Sequence, residues 1–448
     1  MVRFRYRKDR YAIEKIKIFA PALIVVLIGF IIAYQFVAPA PPRTIRVATG
    51  SPEGAYFAFG KSYREILAQN GIRLELINTS GSVENLRLLQ APSGGADLAF
   101  VQGGLNELTD EDSLVALGSL FFEPMWVFHR LDVPINQMAD FHRLRIAIGP
   151  EGSGSRVLTL QMLALNGIDE TNANLLPYSS QEAADMLLEG RVDAAFFVSS
   201  HRSAYIEQLF NSNSVGLLSI DRAEAYAIRY PFLHVLKLPQ GVINFQRNIP
   251  PRDLMLVAPT AQLVARADVH PALINLLLQA AEKVHFQGGG FEKAGQFPSL
   301  KYIDYELSDE ASQYYKSGPP FLQRYLPFWV ANFLTRMVVI LVPLVVLLFP
   351  FFRIMPNIYR WRMRSKIYRW YSKFEGIDAV IFKEKRSSGI DTYIKELDDL
   401  EEKVAQIRVP LAFQEELFDL RLHIDLMRKK LLKEQVDKTP KGQMDINQ

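Results

Sequence analysis

Three short turns carry the residue types that could do chemistry in this 448-residue chain: Ser51 to Tyr56 (SPEGAY), Ser80 to Glu84 (SGSVE) and Gly152 to Ser155 (GSGS). Each follows an apolar run and opens a stretch of helical periodicity. Serine and glycine at a strand-to-helix turn leave backbone N–H groups unpaired at the positive end of a helix dipole, an arrangement that suits a small anion. The hydroxyls of Ser51, Ser80, Ser82, Ser153 and Ser155 add donors. Any one turn also reads as a plain N-cap in an ordinary α/β domain. Repetition favours binding, because the turn at Gly152 would face the turn at Ser80 across a cleft.

Other chemistries lack their residues. There is no cysteine, which removes disulfides, zinc-thiolate sites and thiol nucleophiles. The seven histidines (129, 142, 201, 234, 270, 285, 423) form no HExxH and no paired ligand spacing. The glycines 149, 152 and 154 make GxxGxG rather than the dinucleotide pattern, with no Lys-Ser/Thr pair for a P-loop and no GxSxG elbow. Asp185, Glu189 and Asp193 fall on a solvated helix-to-strand corner. No catalytic residue, metal or cofactor is expected, and the chain is read as a non-enzyme.

The elements that must position the turns follow from periodicity. RLELI (73–77) alternates as a half-buried strand, Ser82 can cap a helix with Val83, Leu86 and Leu89 on one face, and ADLAFV returns as a buried strand ending at Gln102. Before them stand TIRVATG and a helix with Tyr63, Ile66 and Leu67 inward. LVALGSLFFEPMWVFHR is continuously apolar, as a strand carrying the chain into a second lobe would be, with Glu123-Pro124 near the hinge. The second lobe repeats the plan: LRIAIG, then a helix near Ser155 with Val157, Leu160, Leu163 and Ala164 on its apolar side. A capping box at Ser179 and Glu182 follows, then the strand VDAAFFV with Ser199 at its carboxyl end, where open parallel sheets bind ligands. A helix over about Pro271 to His285 returns to the first lobe.

Two apolar runs reach the roughly 20 residues that cross a bilayer, 18–38 and 327–352, the second interrupted only by Arg336. Basic residues crowd 1–17 and follow 352, so both ends are expected inside and the domain between them outside. The first run is longer than a signal-peptide core, and an uncleaved anchor is expected. The net charge of +3 reflects these flanks, and no nucleic-acid partner is implied.

SGSVENLRLL with ADLAFVQ resembles the TAXI group of solute receptors, binding subunits of one branch of the tripartite ATP-independent periplasmic (TRAP) transporters; the likeness runs from about Thr44 to about Ile220. Gly50, Gly54, Tyr56 and Phe57 match that family's first turn, whereas Pro52 and Glu53 depart from it. The turn at Gly149 to Ser155 is similar to its GPGSGT, with Glu151 inserted and Ser155 for threonine.

The resemblance implies an α/β, two-lobed periplasmic-binding-protein type II fold over 39–325, with lobe 1 at about 44–122 and 255–325 and lobe 2 at about 125–250. Transmembrane helices at 18–38 and 327–352 would flank it, with an α-helical cytoplasmic tail over 353–448. That places a binding domain in the periplasm of an inner membrane with both termini cytoplasmic. The implied ligand is a small organic carboxylate such as glutamate or 2-oxoglutarate, and the implied partners are transporter membrane subunits. Its contacts would be Ser51, Gly54, Ala55, Ser80, Gly81, Ser82, Val83, Glu84, Gly152, Ser153, Gly154 and Ser155, with Tyr56 covering it and Gln102 and Ser199 adding polar contacts.

In the tail, Ile390, Ile394, Leu397, Val404 and Ile407, then Leu417, Leu420, Ile424, Met427 and Leu431 after Pro410, repeat at helical spacings. Two antiparallel helices or an oligomeric coiled coil satisfy this, and 390–432 is a candidate surface for a second copy or a cytoplasmic partner. The alternative function is a ligand sensor or scaffold signalling through that tail.

Overall fold

The computed structural model describes residues 20, 23–32, 34–35, 39–91, 95–109, 113–201, 203–383 and 390–437. The basic stretch 1–17 and the terminal 438–448 lie outside the described residues. Contacts divide the chain into two units, Pro39–Thr335 and the remainder.

The first unit starts with β1 (Thr44–Ala48), α1 (Ala55–Gln69), β2 (Arg73–Ile77), α2 (Ser82–Gln90), β3 (Leu98–Gln102) and β4 (Leu114–Phe122). It continues through β5 (Met125–Arg130), β6 (Arg145–Ala147), α3 (Gly154–Leu165), β7 (Asn174–Leu176), α4 (Ser180–Leu188) and β8 (Ala194–Val198). Then come α5 (Ala204–Phe210), β9 (Val215–Leu217), α6 (Ala223–Arg229), β10 (His234–Leu238) and β11 (Leu254–Ala258). The chain returns through β12 (Thr260–Arg266), α7 (Pro271–His285), α8 (Asp309–Ser317) and α9 (Phe321–Tyr325).

Two five-stranded sheets result, ordered β2-β1-β3-β12-β4 and β7-β6-β8-β5-β9. In each, three parallel strands meet an antiparallel one: β12 runs against β3 and β4, and β5 against β8 and β9. Strand periodicity explains why both faces are covered. Trp126 and Phe128 of β5 and Phe197 of β8 point into one core, while Met125, Val127 and Phe196 point into another. Each fully buried aromatic or aliphatic side chain contributes about 1.5–3 kcal/mol.

Two details differ from expectation. The inner face of α3 is Leu158, Met162 and Leu163 rather than Val157, Leu160, Leu163 and Ala164, and Ala164 is exposed. The helix begins at Gly154 under a Ser153 cap, one residue before Ser155, and its apolar residues are spread widely enough that several rotations fit the pattern. Leu254–Ala258 pairs with β10 and packs among second-lobe residues, so the chain re-enters the first sheet at Thr260 rather than near 255.

α10 (Phe328–Lys383) runs well past the expected end at 352, with Pro343, Pro350 and Pro356 inside it. Its stretch Phe328–Ile381 is long and apolar enough to cross a membrane, and Leu23–Ile32 is a shorter apolar helix. α11 (Ile390–Ala405) and α12 (Gln414–Asp437) follow. They are antiparallel, with Gln435 donating to Asp391 at 2.7 Å and Arg428 to Glu401 at 2.8 Å. Both helices and the later part of α10 share one core that includes Ile367, Leu397, Leu400, Leu420 and Ile424.

Candidate functional site

The first turn leads from β1 into α1. Gly54 caps α1 with extended backbone and donates to the Ser51 carbonyl at 2.9 Å. The N–H groups of Ala55, Tyr56 and Phe57 have no protein acceptor among the described residues. Tyr56 turns inward: its ring stacks on Phe100 at 5.5 Å, and its hydroxyl donates to Glu123 Oε2 at 2.6 Å. Glu123 lies between β4 and β5, is 4% exposed, and its own N–H donates to the Pro259 carbonyl at 2.9 Å. The pair therefore sits where both crossings between the sheets pass. Burial pushes the Glu123 carboxyl up to about 8, and the bond from Tyr56 offsets only part of this. The Tyr56 phenol is pushed well above its usual value, first by burial and then by Glu123.

The second and third turns meet directly. Val83 and Glu84, at the start of α2, both donate to the Gly152 carbonyl at 3.0 Å. Gly81 and Gly152 have positive φ, at +134° and +83°, and a Cβ on Gly81 would stand 3.1 Å from Ser153 Cα. Here glycine is required by both conformation and close approach. Ser80 N–H donates to Glu84 Oε2 at 2.6 Å. Ser82 Oγ accepts from Gln102 N–H at 2.9 Å, and Gln102 Nε2 donates to the Gly154 carbonyl at 3.2 Å. Ser153 Oγ accepts from Arg156 N–H at 3.2 Å, whereas the N–H groups of Gly154 and Ser155 have no protein acceptor among the described residues. Ser155 Oγ reaches the Val198 carbonyl at 3.4 Å, and Ser199 is held by Trp126, whose Nε1 donates to its carbonyl at 3.0 Å.

The fold thus joins Ser80 to Glu84, Gln102 and Gly152 to Gly154 into one contact between the sheets. Ser51 stays within its own turn, and Ser199 approaches only through the end of β8. Of the α2 amides aimed at a ligand, those of Val83 and Glu84 are spent on the Gly152 carbonyl, while those of Ala55, Tyr56 and Phe57 in α1 and of Gly154 and Ser155 in α3 lack protein acceptors among the described residues. Glu53 and Glu151 are both exposed. Among the described residues no cluster of three or more metal-binding side chains is present.

Three residues of the site were not singled out from sequence. Glu123 was read only as a hinge marker. Arg156, in the first turn of α3, is half-buried with its Nη1 unpartnered. Asn85 is fully buried: Nδ2 donates to the carbonyls of Thr49 (2.6 Å) and Phe100 (2.8 Å), and Oδ1 accepts from Thr79 Oγ1 (2.5 Å). It ties β1, β3 and the turn before α2 together. Asn85→Ala is expected to cost roughly 3 kcal/mol, because it strands two carbonyls and a hydroxyl in the interior. Thermal unfolding checks this; an unchanged midpoint would show that the turn is held by other contacts.

Two mixed sheets flanked by helices, with site turns at strand ends in both, fit a periplasmic-binding-protein-like fold. The chain belongs to the NMT1-like family, whose model matches residues 47–283. Among solved structures it is similar to the periplasmic aliphatic sulphonate-binding protein SsuA from Escherichia coli, at 15% identity over 54% of this chain and 69% of that one, with a TM-score of 0.36. The alkanesulfonate-binding protein SsuA from Xanthomonas axonopodis pv. citri, bound to MOPS, matches at 18% identity over 43% and 70%, with a TM-score of 0.34. The P235GK mutant of ArgBP from T. maritima matches at 10% over 54% and 89%, with a TM-score of 0.33.

Proposed function

We propose that the chain is a membrane-anchored extracytoplasmic receptor whose two lobes close on a small organic anion, a carboxylate such as glutamate or 2-oxoglutarate, for a TRAP-type transporter of the TAXI kind. The observation that carries this reading is the pair of helix N-termini, α1 and α3, whose first amides lack protein acceptors beside a direct contact between the lobes. Such amides favour a carboxylate through partial positive charge and directed N–H groups. Arg156 adds a cation in the same turn as Gly154. The ligand contacts are those of Ser51 to Tyr56 and Gly152 to Ser155, with Gln102 and Ser199 as neutral partners. Ser80 to Glu84 acts on the ligand through the closed contact that it forms with Gly152.

Isothermal titration of the purified chain against dicarboxylates, amino acids and alkanesulfonates tests the reading. Saturable one-to-one heat with a carboxylate is expected. A folded chain that binds alkanesulfonates alone would redirect the ligand class, and one that binds no anion would remove the receptor assignment.

A second reading, a sensor or scaffold, draws on α11 and α12, which share a core with α10 rather than forming an unstructured extension. Uptake of the ligand by cells carrying substitutions on the exposed face of α12 separates the two. Intact uptake favours signalling.

A further inference from the structure

α12 has two apolar faces, and its own module uses one. Leu417, Leu420, Ile424, Met427 and Leu431 enter the shared core. On the other side Phe418, Leu422 and Leu426 are 66%, 44% and 53% exposed. Glu415, Phe418, Leu422 and Lys429 recur at spacings of three, four and seven, the seam of a helix that packs against another helix.

The order of charges says which helix. Glu415 and Asp419 lie toward one end of this face, and Lys429, Lys430 and Lys433 toward the other. Glu416 and Arg428 are taken inside the module by Arg364 and by Asp398 and Glu401, and Lys429 reaches Asp425 on its own helix at 2.8 Å. A second copy of α12 laid antiparallel and centred on Leu422 sets Leu422 against Leu422, Phe418 against Leu426 and Glu415 against Lys429. Leu422 meets its own copy once on the two-fold axis and the other two pairings occur twice about it, as an isologous interface requires. A parallel copy would stack Glu415 on Glu415 and Lys429 on Lys429. An anionic membrane surface would repel Glu415 and Asp419.

We propose that α12 is a dimerisation helix and that two chains join through an antiparallel Phe418–Leu422–Leu426 seam. The full chain, purified in detergent and weighed by mass photometry or equilibrium sedimentation, is expected to give a protein mass of twice 51.0 kDa. Glu415→Lys alone and Lys429→Glu alone each place two like-charged pairs in the interface and should weaken the dimer by about tenfold. The double exchange should restore it. Because the chain has no cysteine, Leu422→Cys adds a single thiol at the axis, and mild oxidation in membranes should link two chains through it. Glu402→Cys, exposed on α11, is the control and should stay monomeric on a denaturing gel. A monomer at all concentrations, as expected of a face lying on lipid, overturns the proposal. So does a double exchange that fails to restore association, or equal cross-linking at the control.

Discussion

Gly154→Leu is expected to weaken solute binding by about a hundredfold, while the midpoint of unfolding of the ligand-free chain moves by only a few degrees. A Cβ at position 154 would lie 2.9 Å from Gln102 Oε1, 3.0 Å from Cδ and 3.1 Å from Cβ. The two residues belong to different lobes, so the side chain has room only if the Gln102 side chain gives way or the lobes part. The substitution acts on the closed arrangement, and affinity falls with the fraction of molecules able to reach it. Two decades of affinity are about 2.8 kcal/mol, a reasonable cost for keeping two packed turns apart. Shortening the obstacle with Gln102→Ala in the Gly154→Leu background should recover part of the loss. Titration calorimetry beside a thermal melt reads both quantities. Equal loss of affinity and of folding would assign Gly154 to the fold alone.

The second large effect belongs to pH. Burial holds the Glu123 carboxyl near 8 in the folded chain, against 4.5 as its ordinary value. Between these values the unfolded chain has released the proton and the folded chain has kept it. The contribution of Glu123 to stability is therefore greatest below pH 4.5 and is lost as pH rises toward 8, by roughly 4–5 kcal/mol at 1.36 kcal/mol per unit. Glu123→Gln keeps an acceptor for the Tyr56 hydroxyl and removes the proton. It should flatten this slope and leave the variant more stable than the parent at pH 8, which melts recorded across the pH range will show. Parallel curves for the two proteins would mean that Glu123 ionises without penalty.

How much of this was readable beforehand depends on whether a residue acts through its neighbours in sequence. The capping box of Ser179 and Glu182 is a local device, and its helix begins at Ser180 as read, whereas Ser82 does not cap its helix: Gly81 holds that position, and the Ser82 hydroxyl accepts from Gln102 N–H on β3 instead. Ser153 was also visible as part of a Gly-Ser turn. What it touches was not, because Gly81 and Gly152 are distant in sequence and meet only once both sheets exist. Glu123 looked like a hinge marker, since nothing in EPM announces a tyrosine bonded to it from α1. Asn85 sits at a polar position of an amphipathic pattern, where a solvated side chain is the usual reading. The pairing of β10 with β11 went unread for a similar reason: fifteen residues of weakly patterned loop, 239–253, separate the strands.

The order β3-β12-β4 in the first sheet has a consequence for how the protein is made. β12 lies between two strands that precede it, opposing Gln102 with Ala261 on one side and Phe122 with Thr260 on the other. Until Thr260 has been synthesised, the facing edges of β3 and β4 have no partner, and the whole of the second sheet is already available. The amino-terminal lobe is thus finished after the lobe that follows it, by a strand pushed into a gap. Contacts of such long sequence separation are slow to form, and the open edges meanwhile can pair with any strand that reaches them. For this chain, order of synthesis and order of completion run in opposite directions.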